Sequence, residues 1–63
     1  MNITREQEML LAQYGIALHD EINDLLMEID DKITDIGFED DYEYLNKDGL
    51  KLQRLYDELY DQN

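Results

Sequence analysis

The sequence predicts an all-α fold: one long N-terminal helix, from about residue 5 to residue 36, that turns at Gly37 into one or two shorter helices. Three observations support this prediction. The chain has no proline and only three glycines, so few positions would break a helix. Apolar residues recur at steps of three and four along most of the chain. The length of 63 residues suits one small domain, residues 1–63, built as a helical hairpin or a three-helix bundle.

The first helix is predicted from its start and from its apolar stripe. Thr4 can serve as the N-cap, and Gln7 three residues later can complete a capping box. Glu6 and Glu8 suit the positive end of the helix dipole. The apolar stripe consists of Leu11, Leu18, Ile22, Leu25, Leu26, Ile29, Ile33 and Ile36. Leu11, Leu18 and Leu25 share one heptad position, and Lys32 is the one break in that series.

Gly37 marks the end of this helix. Because glycine tolerates the left-handed backbone conformation, we expect Gly37 to be a left-handed C-cap residue, with Phe38 folding back on the last turn. The helix would be about 48 Å long at 1.5 Å per residue, which is long for a globular domain. Gly15 is its weak point, since glycine costs about 1 kcal/mol relative to alanine. A bend or a break is therefore expected there.

The second half of the chain leaves three alternatives open. Apolar spacing continues through Tyr42, Leu45, Leu52, Leu55, Tyr56 and Leu59, but residues 46–49 have strong turn chemistry. One helix could pass through them, or a turn could separate a short segment at 40–45 from a terminal helix at 50–61. Alternation at residues 42–44 and 50–52 also permits a small hairpin. The spacing of Leu55, Tyr56, Leu59 and Tyr60 favours helices.

The composition excludes several classes of function. Seventeen acidic residues against five basic ones give a net charge of −12, so direct binding to nucleic acid or to an anionic membrane is not expected. The absence of cysteine rules out disulfides and thiolate metal sites, and it suits a reducing compartment. With no recognisable signal peptide and no apolar run long enough to span a membrane, we expect a cytoplasmic protein.

Five carboxylates are expected to form a line on the polar face of the first helix. Spacings of four, four, three and four place them roughly opposite the apolar stripe, and like charges so arranged destabilise a helix. The alternative is a solvated face that serves solubility. The acidic residues 39–41 and Tyr44 could extend the line and meet an arginine-rich partner. The predicted partner-binding set is Asp20, Asp24, Glu28, Asp31, Asp35, Glu39, Asp40, Asp41 and Tyr44.

Such a line predicts a non-enzymatic protein that occupies an electropositive surface of a partner protein. Carboxylates about 6 Å apart on a helix approach the spacing of backbone phosphates along a nucleic-acid strand. The partner could therefore be a nucleic-acid-binding protein, and this chain an inhibitor or antidote. In composition and size the chain is similar to small acidic inhibitors, often encoded by phages or mobile elements. No family motif accompanies that similarity.

Catalysis, metal binding and cofactors are not expected. The chain has no serine or cysteine, which nearly excludes a nucleophilic mechanism. His19 is expected at a helix flank beside the apolar stripe. Residues 46–49 resemble the middle of an EF-hand loop with Gly49 at the sixth position. In that register Tyr44 and Leu55 would occupy the two essential end positions, so this interpretation is rejected.

An apolar stripe longer than the helices that could cover it favours self-association. We expect a homodimer whose seam consists of Leu18, Ile22, Leu25, Ile29 and Ile36. The alternative function is accordingly a small structural or assembly protein that oligomerises through this stripe, with its charge serving solubility.

Overall fold

The computed structural model describes residues 1–39 and 44–63. These residues form three helices: α1 at Arg5–Gln13, α2 at Ile22–Ile36 and α3 at Lys47–Gln62. Within the described residues, the extended structure is limited to an isolated antiparallel bridge between Phe38 and Leu45. The predicted all-α class is confirmed, in the form of three helices. Four residues of the predicted partner-binding and hairpin regions, at 40–43, lie outside the described residues.

The single helix predicted at 5–36 is in fact two helices, and the break is at Gly15. Gly15 has a φ of +69°, which is the left-handed conformation that glycine tolerates best. The Ile16 amide donates to the Leu11 carbonyl at 2.9 Å, and the Gly15 amide donates to the Ala12 carbonyl at 3.0 Å. These two bonds form a Schellman motif. Leu11 and Ile16 are both buried and supply its apolar contact, so the chain leaves the helix axis at this point.

The predicted capping box at the start of α1 is confirmed. The Gln7 amide donates to the Thr4 hydroxyl at 3.1 Å, and the Thr4 amide donates to the Gln7 side-chain oxygen at 3.0 Å. Two amide groups that the first turn would otherwise leave unpaired are thereby satisfied. Glu6 and Glu8 lie in that first turn, as the sequence predicts.

Gly37 ends α2, but its predicted left-handed conformation is wrong. Its φ of −90° and ψ of 0° are right-handed values. Glycine is needed here for a different reason, namely the close approach of α2 and α3. A Cβ atom on Gly37 would lie 2.9 Å from the Gly49 Cα atom, and one on Gly49 would overlap the Gly37 carbonyl. A glycine at the end of α2 and a glycine within α3 thus permit a backbone contact.

Asn46 starts α3, so residues 46–49 begin a helix rather than interrupt one. Its side-chain oxygen accepts a hydrogen bond from the Gly49 amide at 2.8 Å, which is N-cap geometry. The predicted terminal helix is confirmed and begins three residues earlier than expected. The hairpin is wrong because residues 50–52 are helical.

The core lies between α2 and α3, with one edge closed by α1 and the turn after it. It consists of Leu11, Ile16, Leu25, Leu26, Ile29, Ile33, Leu52, Leu55 and Leu59. Because the break at Gly15 shortens the first helix, α3 is long enough to cover most of the apolar stripe of α2.

The predicted dimer seam therefore needs correction. Leu25 and Ile29 have no exposed surface in a single chain, so a second chain would find neither of them accessible. Ile22 is partly buried against the same core. Leu18 and Ile36 are 56% and 37% exposed, but without the two central residues they form no continuous stripe. Dimerisation itself remains a prediction, and it requires a different surface.

Candidate functional site

The outer face of α2 is a line of four carboxylates. Asp24, Asp31 and Asp35 are exposed, and Glu28 is partly exposed. The helical period that buries Leu25, Ile29 and Ile33 against α3 directs these carboxylates to the opposite side. We call them, together with Met27, the acidic face of α2.

The other predicted partner-binding residues lie off this line. Asp20 precedes α2, whose N-cap is Glu21, so the helical line has four carboxylates rather than five. Glu39 is exposed in the segment after α2. Tyr44 is 68% exposed, which leaves its ring accessible. Asp40 and Asp41 lie outside the described residues.

One end of the acidic face borders a shallow depression. Its volume is about 380 Å³, and it lies between α2 and the turn after α1. Glu28, Asp31 and Asp35 line it together with Gly15 and Ile16, and Lys32 contributes the one cation. The turn at Gly15 therefore brings a concave edge to what would otherwise be a convex helix surface. A guanidinium or ammonium group could enter it beside three carboxylates.

The Nε2 atom of His19 lies within hydrogen-bonding distance of a Glu28 carboxylate oxygen. Among residues 1–39 and 44–63, no lysine or arginine side chain pairs with a carboxylate. The contact between His19 and Glu28 ties the segment that joins α1 and α2 to the acidic face. His19 was expected at a helix flank; it lies instead in the connection, where it positions Glu28 and stabilises the path of the chain.

Met27 is the residue that the sequence interpretation missed. Its side chain is 66% exposed and lies on the helix one turn from Asp24 and one turn from Asp31. A large apolar side chain amid carboxylates can anchor a partner by burial, while the charges orient it. The available signal was its position outside the three-four spacing of the apolar stripe.

Tyr14 connects the turn after α1 to the start of α3. Its hydroxyl donates to Asp48 at 2.7 Å, and its ring packs against the core. Burial, then the hydrogen bond and the negative charge of Asp48, raise the pKa of Tyr14 from 10.0 to about 12. The contact holds two elements together, as expected of a tyrosine at the rim of a small core.

The described residues contain no group of three histidine, cysteine, aspartate or glutamate side chains that could hold a metal ion. None of the helices in that part of the chain combines the length and the apolar character that crossing a membrane requires. Comparison of the chain with protein-family models, with curated proteins and with solved structures finds no match.

Proposed function

We propose that this chain is a non-enzymatic binding protein whose acidic α2 face occupies an electropositive surface of a partner protein. The observation that supports the proposal is the line of Asp24, Glu28, Asp31 and Asp35, which points away from the core and carries no buried packing role. Lys32 is the one cation within α2. A face that served solubility alone would not need its charges on one line.

The partner that fits this face best is a protein that normally holds nucleic acid. Carboxylates that repeat at each helical turn, about 5.4 Å apart, present a regular row of negative charge on a rigid rod. A groove that binds phosphates through lysine and arginine offers the complementary surface. On this proposal the chain acts as an inhibitor or antidote that competes with nucleic acid.

The alternative function, an assembly protein that uses its apolar stripe, has less support. Leu25 and Ile29 lie in the core of one chain, and exposing them would require α3 to detach. The apolar stripe is therefore accounted for by intramolecular packing.

The test compares two variants of equal net charge. In the face variant, Asp24, Asp31 and Asp35 become asparagine, and Glu28 is retained because it pairs with His19. In the control variant the same change is made at Asp30, Asp57 and Asp61, which are exposed and lie off the line. A ten-arginine peptide serves as a defined probe of electropositive character.

We expect the face variant to bind the peptide more weakly than the control, with a flatter salt dependence, because three local charges no longer contribute. The face variant should be at least as stable as the parent, since repulsion along the helix is relieved. Calorimetric titration at several salt concentrations measures peptide binding, and thermal unfolding measures stability. Host proteins that bind to the parent and to the control, but not to the face variant, are then identified. For each of them, the assay measures whether the parent displaces labelled duplex DNA from that protein. If the two variants bind the peptide equally, net charge alone accounts for binding, and the proposed role of the acidic face of α2 is contradicted.

A further inference from the structure

The first half of α3 concentrates the positive charge of this acidic chain. Three of its five basic residues, Lys47, Lys51 and Arg54, lie at spacings of four and three and are exposed. None of them forms an ion pair with a residue that the structure describes. Leu50 lies between them on the helix and is 59% exposed. We call these four residues the basic face of α3.

The basic face of α3 repeats the pattern of the acidic face of α2 with the opposite sign. Each has charged residues at its first, fifth and eighth positions and an exposed apolar residue at its fourth. The corresponding sets are Asp24, Met27, Glu28 and Asp31 on α2 and Lys47, Leu50, Lys51 and Arg54 on α3. Because the spacing is identical, two such helices can align all three charge pairs at once.

Within one molecule these faces cannot meet. α2 and α3 pack through their buried residues, including Ile29 and Leu52, and the charged lines point away from that contact. Lys51 and Arg54 instead border the groove between α1 and α3. Any pairing of the two faces is therefore between molecules.

We infer that the basic face of α3 docks on the acidic face of α2 of a second copy of this chain. The contact is heterologous, since it joins two different surfaces. An antiparallel alignment places Asp24 opposite Arg54 and Asp31 opposite Lys47. Met27 and Leu50 then lie together at the centre, where their apolar surface is removed from water.

The apolar residues favour the antiparallel orientation, because only in this orientation do Met27 and Leu50 lie on the same side of the contact. In a parallel alignment Asp35 would lie opposite Glu58, and the two carboxylates would repel each other. In the antiparallel alignment Glu58 faces Asp20, which precedes α2 and lies off the helical line. It also opposes the two helix dipoles, which is the favourable arrangement.

Self-docking would be weak and would depend on screening. Two chains of charge −12 repel at long range, whereas the facing charges attract locally. At physiological ionic strength the screening length is about 8 Å, so distant repulsion is reduced more than contact attraction. This inference goes beyond the proposed function: where both hold, a partner and a second copy compete for the acidic face of α2.

The test uses two charge reversals that leave the central Glu28 and Lys51 unchanged. In the α3 variant, Lys47 and Arg54 become glutamate; in the α2 variant, Asp24 and Asp31 become lysine. Both variants keep a negative net charge, so their mixture has no general electrostatic attraction. A matched control changes Asp57 and Asp61 to lysine. Circular dichroism establishes that each variant is folded.

Sedimentation velocity at protein concentrations up to about 1 mM, where weak contacts are populated, reports association. We expect the parent and the control to associate, and each charge-reversed variant to lose at least about tenfold in association constant, because like charges then face each other. Mixing the two variants should restore association, since each supplies the complement of the other.

Three results would overturn the inference: a parent that stays monomeric at about 1 mM, reversals without effect, or a mixture that associates no better than its components. The α3 variant also separates this inference from the proposed function. It keeps the acidic face of α2, so it should bind the ten-arginine peptide at least as tightly as the parent even when self-association is lost. If the face variant and its control bind the peptide equally while self-association behaves as expected, only the proposed function is contradicted.

Discussion

Asn46 shows how one side chain can join two helices. Its oxygen caps the start of α3, while its nitrogen donates to the carbonyls of Ile36 at 2.7 Å and Phe38 at 3.2 Å. Its backbone amide donates to the Gly37 carbonyl at 2.8 Å. Groups that the end of α2 would leave without a helical partner are thus satisfied by the residue that begins the next helix. This corner also brings Gly37 against Gly49.

Replacing Gly49 by alanine tests this close approach. Alanine in a helix normally adds about 1 kcal/mol of stability over glycine. At Gly49 the added methyl would lie 2.8 Å from the Gly37 carbonyl carbon, so we expect a loss of about 3 kcal/mol through overpacking. The free energy of unfolding in urea measures the effect.

Gly15→Ala is the matched control for that experiment. A Cβ atom at Gly15 meets no atom within 4 Å, so its cost is limited to the left-handed backbone, about 1–2 kcal/mol. A Gly49→Ala variant that is as stable as the parent, or less destabilised than Gly15→Ala, would contradict the close approach of Gly49 to Gly37.

Polar contacts add to the burial of Leu11 in fixing the position of α1, whereas apolar packing fixes α2 against α3. Gln7 is 6% exposed, and its side-chain nitrogen donates to Gln62 at 2.7 Å and to Glu58 at 3.2 Å. Gln62 donates in return to the Gln7 oxygen at 3.0 Å. Gln7 therefore serves both the capping box of α1 and the contact of α1 with α3. Its burial is compensated because each polar atom has a partner.

The Tyr14–Asp48 bond between the turn and α3 predicts a loss of stability in alkali. The folded-state pKa of Tyr14 is raised from 10.0 to about 12, so unfolding favours ionisation. The stabilisation is complete below pH 10 and is lost as the pH rises towards 12. Absorbance of tyrosinate should show one of the five tyrosines titrating about two pH units above the ordinary value.

Tyr14→Phe should remove that late titration and make the stability less dependent on pH in this interval. Asp48→Asn should lower the pKa of Tyr14 only in part, because burial, the largest cause of the shift, remains. If the absorbance change lost in Tyr14→Phe belonged to a transition near pH 10 rather than near pH 12, the contact between the Tyr14 hydroxyl and Asp48 would be contradicted.

At the scale of the whole molecule, charge opposes compactness. The chain measures 35 × 18 × 16 Å and carries a net charge of −12. The screening length in about 0.01 M salt is about 30 Å, so charges across the whole molecule repel each other. In about 0.15 M salt it falls to about 8 Å, which confines repulsion to neighbouring groups.

Raising the sodium chloride concentration from about 0.01 M to about 0.15 M should therefore raise the melting temperature. Differential scanning calorimetry measures the increase. The face variant, with Asp24, Asp31 and Asp35 as asparagine, should show a smaller increase because less repulsion remains to be screened. A melting temperature that does not respond to salt would show that self-repulsion does not limit the stability of the fold.

The sequence by itself determined the features that depend on residues three or four positions apart. Thr4 and Gln7 form the capping box, and the spacing of Leu25, Ile29 and Ile33 identifies the buried side of α2. The line of Asp24, Glu28, Asp31 and Asp35 follows from the same period. These interactions are local, so the order of residues suffices to predict them.

Contacts between distant residues were decided only by the tertiary structure. Whether Gly15 bends or ends the first helix depends on burial of Ile16 in a core to which α3 contributes. Glycine is required at position 37 because its backbone lies against Gly49, twelve positions later in the chain. Leu25 and Ile29 could have faced a second molecule, and they are buried because α3 returns over them. Periodicity shows that a helix has an apolar side, but the element that covers that side is chosen by the packing of the whole chain.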